Sequence, residues 1–300
     1  MLAMVFETFG GPEVLHQAQV PAPEPGPGQV RVRVEAAAVN GWDTKLRAAP
    51  IPGMRPPAFP VVPGLEVAGV VDTLGEGVTG VAPGDRVVGF AASGGYAELA
   101  LTAVFAPVPD DLAATDAVTL PVAAEAAERV LRRLDVRPGE TLLVHGASGS
   151  VGELATQLAV RRGARVIGTA SSASQGRVAA LGATPTTYGD GLVARVQALA
   201  PAGVDAVLDT TGAGVLPDSI MLRGGTDRIV TIADDAAAGL GVEFSSRSER
   251  DAGELADAVA ALARGDLVTT VAEVLPLADA PRAHALVESG HPGGKVVLVP

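Results

Sequence analysis

Leu142-Leu-Val-His-Gly146-Ala-Ser-Gly149-Ser-Val-Gly152-Glu-Leu-Ala155 is the stretch whose reading decides the fold. An apolar run leads into a turn with glycines at 146, 149 and 152, and Val151, Leu154, Ala155, Leu158 and Ala159 then follow at helical spacing as far as Gly163. The spacing is G-x-x-G-x-x-G, with Ala147 and Ser148 inside the first interval. The physics matches that of the commoner G-x-G-x-x-G. The chain turns tightly, backbone N–H groups at the helix N-terminus face outward, and the missing side chains let a diphosphate approach. Glycines alone also fit a tightly packed strand-to-helix turn. The strand before, the amphipathic helix after and a second strand, Arg165 to Ala170, favour a dinucleotide.

That second strand runs out into Ser171-Ser172 without the Asp or Glu that accepts from the ribose hydroxyls of NAD, and Arg177 follows. Hydroxyls and a guanidinium suit a 2′-phosphate, which an acid would repel, so the pattern points to NADPH. The other reading of Arg177 is a solvated helix residue. Farther on, apolar runs at Ala206 to Asp209 and Arg228 to Ala233 alternate with helical stretches, which implies a parallel sheet covered by helices. Helices fit Pro121 to Leu134 and Gly253 to Arg264. The second places Leu255, Val259, Leu262 and Ala263 on one face and stops at Gly265.

Before about residue 115 the texture differs. Gln29-Val-Arg-Val-Arg-Val-Glu35 alternates strictly, as a half-buried strand requires. Further runs at Val67 to Leu74 and Arg86 to Phe90 lie between glycine turns, giving a β-rich, barrel-like region. The tail ends in the apolar strand Lys295-Val-Val-Leu-Val299.

Composition removes several function classes. The 300 residues include no Cys, which excludes disulfide frameworks, Cys-ligated zinc, iron–sulfur clusters and thiol nucleophiles. The net charge of −12, with no basic run, argues against a nucleic-acid partner. A hydrophobic share of 48% supports a folded core. No basic segment followed by a long apolar stretch opens the chain and no window resembles a membrane span, so a cytoplasmic protein without a membrane partner is expected. Phe6, Phe9, Trp42, Phe59, Phe90, Tyr96 and Phe105 all lie before residue 112.

The chain resembles the zinc-independent medium-chain dehydrogenase/reductase family, in its quinone oxidoreductase (zeta-crystallin-like) branch. The resemblance rests on Phe9-Gly-Gly-Pro-Glu-Val-Leu15, Ala38-Val-Asn40-Gly-Trp-Asp43-Thr-Lys45-Leu-Arg47, Pro63-Gly64-Leu-Glu66-Val-Ala-Gly69 and Gly84-Asp85-Arg86-Val87. It continues through Gly94-Gly-Tyr96-Ala-Glu98, the glycine turn, Leu181-Gly182-Ala183 and Gly294-Lys295-Val-Val-Leu298, in family order. It implies an α/β protein with a GroES-like β-rich catalytic domain, 1–115 plus 267–300, and an inserted doubly wound Rossmann domain, 116–266, that binds NADP(H). It also implies a homodimer and a small-molecule electron acceptor, a quinone or an enone, that takes hydride from nicotinamide C4.

By the same resemblance, Asn40 and Asp43 lie near the nicotinamide ribose, and Ser148, Gly149, Ser150, Val151 and Gly152 hold the diphosphate. Ser171, Ser172 and Arg177 hold the 2′-phosphate, and Tyr188 sits beside the adenosine. Thr211, Thr231, Ile232, Ala233 and Lys295 complete the cofactor set, with Thr231 to Ala233 on the strand end that faces the nicotinamide, and Tyr96 joins Asn40 and Asp43 as a catalytic candidate, with packing as its other reading. Asn40 also reads as a turn cap and Tyr188 as cover for the sheet edge. In the zinc-bearing branch a Cys occupies the place of Asn40 and a His–Glu pair that of Leu65-Glu66, so no metal is expected here. His284 and His291 are better explained by a surface helix and a turn than by a metal.

Where the family commonly has Leu-Thr-Ala near the nicotinamide, this chain has Ala124-Glu125-Ala126. Glu125 reads either as a first-turn acid favoured by the helix dipole or as a residue that restricts the substrate. A short-chain dehydrogenase would need a Tyr with a Lys four residues on, but positions 100 and 192 are Ala and Leu. An NADPH-binding redox sensor or structural protein on the same fold uses the same glycine turn, and the sequence leaves it open.

Overall fold

The computed structural model describes residues 1–246, 248–290 and 292–300. They form two compact units, Met1–Val122 with Arg250–Pro300, and Ala123–Glu249.

The first unit begins with β1 (Leu2–Val5) paired antiparallel to β2 (His16–Gln19). Then come β3 (Val30–Val39), α1 (Gly41–Ala48), β4 (Glu66–Leu74), β5 (Arg86–Ala91), β6 (Leu99–Pro107) and the short α2 (Ala114–Ala117). In β3 the valines at 30, 32 and 34 point inward and Arg31 and Arg33 outward, whereas Ala36 to Val39 are buried on both faces. Strand β3 pairs with both β4 and β6, and β5 lies between them, so the four strands close on themselves. Glycine is required at 69, where a Cβ would lie 2.1 Å from the Arg33 carbonyl oxygen.

The chain enters the second unit through α3 (Pro121–Leu134). The second unit continues with β7 (Thr141–His145), α4 (Ser150–Arg161), β8 (Arg165–Ala170), α5 (Gln175–Ala180), β9 (Thr184–Thr187) and α6 (Leu192–Leu199). It is completed by β10 (Ala206–Asp209), α7 (Leu216–Arg223), β11 (Ile229–Thr231), α8 (Ala237–Leu240) and β12 (Glu243–Phe244). Every pairing is parallel and the order is β12-β11-β10-β7-β8-β9, the doubly wound order of a Rossmann unit. Strands β7 and β10 are neighbours in space but not in sequence. The crevice beyond their carboxyl ends is therefore the topological switch point where such sheets bind ligands.

The chain then returns to the first unit with α9 (Ala252–Ala263), β13 (Val271–Pro276), α10 (Ala280–Glu288) and β14 (Lys295–Val299). Strands β13 and β14 extend the first unit's sheet beside β3. The return falls before α9 rather than after it, because Leu255, Ala258, Val259 and Ala261 are buried against the first unit, where α9 lies along β6. Of the face expected for this helix, Leu262 is half-buried and Ala263 exposed.

His284 corrects a sequence expectation. It lies on the buried face of α10, 0% exposed, with its ring edge-on to Tyr96. His291 lies outside the described residues.

Candidate cofactor and reaction site

In the second unit, β7 runs into Gly146 at φ +77, a conformation that favours glycine. A Cβ at Gly146 would lie 2.6 Å from Thr210 Oγ1, so the exit of β7 is pressed against the exit of β10. A Cβ at Gly152, in the first turn of α4, would lie 2.1 Å from the Gly146 carbonyl oxygen. The two glycines let the helix start directly on the strand end. No side chain caps α4, whose N-cap is Gly149, and Ser148, Ser150 and Val151 are half-buried around its N-terminus. Such a terminus presents backbone donors and the positive end of the helix dipole to an anion.

Beyond β8 the 2′-phosphate candidates gather beside this turn. Arg177 Nη2 donates to the Ser148 carbonyl oxygen at 2.7 Å, which sets the guanidinium against the glycine turn rather than in open solvent. Ser171 Oγ donates to Ser174 Oγ at 3.2 Å, and Ser172 is exposed. Gln175, which sequence reasoning missed, ties the segment down through Nε2 to the carbonyls of Ala170, Ser171 and Thr186. Tyr188 follows β9 and is 48% exposed, so it does little to cover the sheet edge.

Thr211 and Thr231 stand at the ends of β10 and β11, with hydroxyls turned away from solvent onto Asp209 Oδ1 and Oδ2 at 2.7 and 2.8 Å. Ile232 and Ala233 follow, half-buried. In the sequence Asp209 is simply the last residue of an apolar run.

In the first unit the candidates form a buried polar cluster. Asn40 sits at the N-cap of α1, and its backbone N–H donates to Asp43 Oδ2 at 2.8 Å. Its side chain donates to Glu66 Oε1 at 2.9 Å and accepts from Lys295 Nζ at 2.6 Å. Lys295 also pairs with Glu66 Oε1 at 2.6 Å, with the two side chains 4% and 0% exposed. Glu66 Oε2 accepts from the Val122 backbone N–H at 2.8 Å. Asn40 thus caps a helix and orients the ammonium at once.

Burial pushes the Asp43 carboxyl up to about 7, against the lowering effect of the Asn40 N–H. Tyr96, proposed from the sequence as a catalytic candidate, is fully buried. Its hydroxyl lies 3.4 Å from Asp43 Oδ2 and 3.3 Å from His284 Nε2, so it is built into the core of this unit. Burial, reinforced by Asp43, raises the Tyr96 phenol far above its ordinary range, and burial lowers His284 to about 3.

A metal does not suit this cluster. Leu65 offers no ligand atom, and the Asn40 oxygen and Glu66 Oε1 both hold an ammonium. Among the described residues no group of three or more His, Cys, Asp or Glu is arranged to hold a metal ion. Nor is any described helix long and apolar enough to cross a membrane.

Glu125 is not a first-turn acid. It is buried within α3 and accepts from Arg129 Nε and from the Glu249 backbone N–H, each at 2.7 Å. Arg129 in turn donates to Ser245 O at 3.0 Å and to its hydroxyl. The pair clamps the segment after β12 onto α3.

Comparison with known proteins agrees with this architecture. A family model described as the alcohol dehydrogenase GroES-like domain matches residues 26–110, and one described as zinc-binding dehydrogenase matches 181–298. A quinone oxidoreductase from Sus scrofa is 31% identical over 316 residues, covering 97% of this chain and 95% of its own length. One from Rattus norvegicus is 40% identical over 173 residues, a match that spans 56% of this chain and 52% of the rat protein. Among solved structures, a mycobacterial protein complexed with NADPH aligns at TM-score 0.87 with 32% identity and full coverage of both chains. An NAD-dependent alcohol dehydrogenase aligns with the same score, identity and coverage, so choice between the two dinucleotides has to come from local residues.

Proposed function

Because the chain belongs to the quinone oxidoreductase branch of the medium-chain dehydrogenase/reductase family, we propose that it is a zinc-independent, NADPH-dependent reductase of quinones or α,β-unsaturated carbonyl compounds. The observation that carries the cofactor choice is the Arg177 guanidinium resting on Ser148 of the glycine turn, with no acid at the end of β8. A dinucleotide suits the turn because glycine at 146 and 152 lets α4 start directly on the end of β7, and the N-terminus of α4 is left to backbone donors. When bound, NADPH supplies the hydride at nicotinamide C4.

The residues of this chain bind and orient. Gly149 to Val151 receive the diphosphate, and Arg177 neutralises the 2′-phosphate, which matters in a protein of net charge −12. Asn40 and Lys295, locked by Glu66, present a rigid amide and a buried positive charge in the other unit. The positioning is fixed before substrate arrives.

Steady-state oxidation of NADPH against a panel of quinones, enones and enals tests the activity. Turnover with at least one acceptor class is expected. Micromolar NADPH binding without turnover would favour the redox-sensor reading. The cofactor assignment has its own test in Arg177→Ala, expected to cost about 1 to 3 kcal/mol of NADPH affinity. NADH binding should barely change; equal losses for both cofactors would remove the 2′-phosphate assignment.

A further inference from the structure

We infer that Asp209 is a positioning residue that fixes both strand ends of the second unit facing the nicotinamide half of the cofactor; the inference rests on the NADPH reading above. Asp209 is the last residue of β10 and is wholly buried at the switch point. Its Oδ1 accepts from the Thr211 N–H at 2.8 Å and the Thr211 hydroxyl at 2.7 Å. Both carboxylate oxygens lie 3.3 Å from the Gly212 N–H, and Oδ2 accepts from the Thr231 hydroxyl at 2.8 Å. Thr231 Oγ1 itself accepts from the N–H groups of Ala233 at 3.1 Å and Asp234 at 3.0 Å.

A hydroxyl has one proton and two lone pairs. Both lone pairs of Thr231 are taken, so its proton goes to residue 209, which has to be an acceptor on that side. The other side faces three more donors. An asparagine amide would set N–H against donors in either orientation, so the site specifies a carboxylate and not merely a polar group of that shape.

One carboxylate thereby governs the backbone of both exit loops. They also touch, for Gly212 has φ +63 and a Cβ there would lie 2.6 Å from the Ala233 carbonyl oxygen. The glycine turn has a separate anchor, since the Thr210 hydroxyl donates to the His145 carbonyl at 2.8 Å. Losing Asp209 should therefore disturb the nicotinamide side and spare the adenosine side. The Thr211 and Thr231 hydroxyls serve this network rather than the cofactor.

The test titrates the full chain with NADPH and, separately, with 2′,5′-ADP, which carries only the adenosine half. Asp209→Asn should weaken NADPH at least tenfold and leave 2′,5′-ADP within twofold. Thr231→Ser, which keeps the hydroxyl, should match wild type, whereas Thr231→Val should follow Asp209→Asn. The threonine pair gives the answer even where the Asp209 variant does not fold. Parallel loss of both ligands, or unchanged NADPH affinity, would overturn the inference. Failure of the wild type to bind either ligand would instead sink the NADPH reading, and this inference with it.

Discussion

Gly152→Ala should destabilise the protein by about 2 to 4 kcal/mol and weaken NADPH by at least ~100-fold. The new methyl would sit 2.1 Å from the Gly146 carbonyl oxygen and 3.0 Å from the Ala147 Cα, both backbone atoms. Gly146 has little room to move, because its Cα is packed so closely by Thr210 and Thr211 that not even a methyl group would fit there. The strain is relieved only if the start of α4 lifts off β7, which carries the Gly149 to Val151 backbone away from where the diphosphate is proposed to bind. Gly149→Ala is the control. Its Cβ would meet Gly146 O at 3.4 Å in an ordinary backbone conformation, so stability should change by less than about 1 kcal/mol. Urea unfolding with NADPH titration on both variants checks the pair. A Gly152→Ala protein as stable as wild type would show that the turn is not as tight as the structure has it.

Lowering the pH from 7 to 4 should reduce stability by a few kcal/mol, with two histidines on one side and one carboxyl on the other. Burial lowers His145 to about 4 and His284 to about 3, below the ordinary 6.5. A depressed folded value gives stability that is complete above the unfolded pKa and is lost as pH falls through the folded one. Each histidine therefore loses on the order of 3 kcal/mol across the window. Asp43 works oppositely. Its folded value is raised to about 7, so it gives stability at low pH that is lost as pH climbs from about 4 to 7. His284→Phe should make the acid loss shallower and Asp43→Asn should make it steeper. Parallel pH–stability curves for the three proteins would refute the assignment.

Much of the architecture is visible in local pattern. The alternation of valine and arginine in β3 specifies a strand by its period, while the glycine spacing after β7 and the short apolar run of β14 mark their elements by residue type and length. Strand β12 escapes that logic because Glu243–Phe244 is too short to have a period. Membership of α9 escapes it because an amphipathic helix does not say which core receives its face.

The site divides similarly. The glycines are legible because a tight strand-to-helix turn follows from residue type at fixed spacing. Asp209, Glu125 and His284 are not, since each takes its meaning from partners remote in sequence. Thr231 reaches across from β11 to Asp209, Glu249 closes on Glu125, and Tyr96 covers His284. A lone acid at a strand end, an acid on a helix and a histidine on a helix look ordinary until those partners arrive.

The interleaving of the first unit sets an order of assembly on the ribosome. Residues 123–249 form one continuous stretch and emerge complete. Asn40 and Glu66, in contrast, are synthesised long before Lys295, which comes on β14 beside β3. Until then Glu66 is a carboxylate destined for full burial without its counter-charge, a state of high cost. The Asn40–Glu66–Lys295 cluster should therefore close last, and its carboxylate should stay hydrated until the final strand docks.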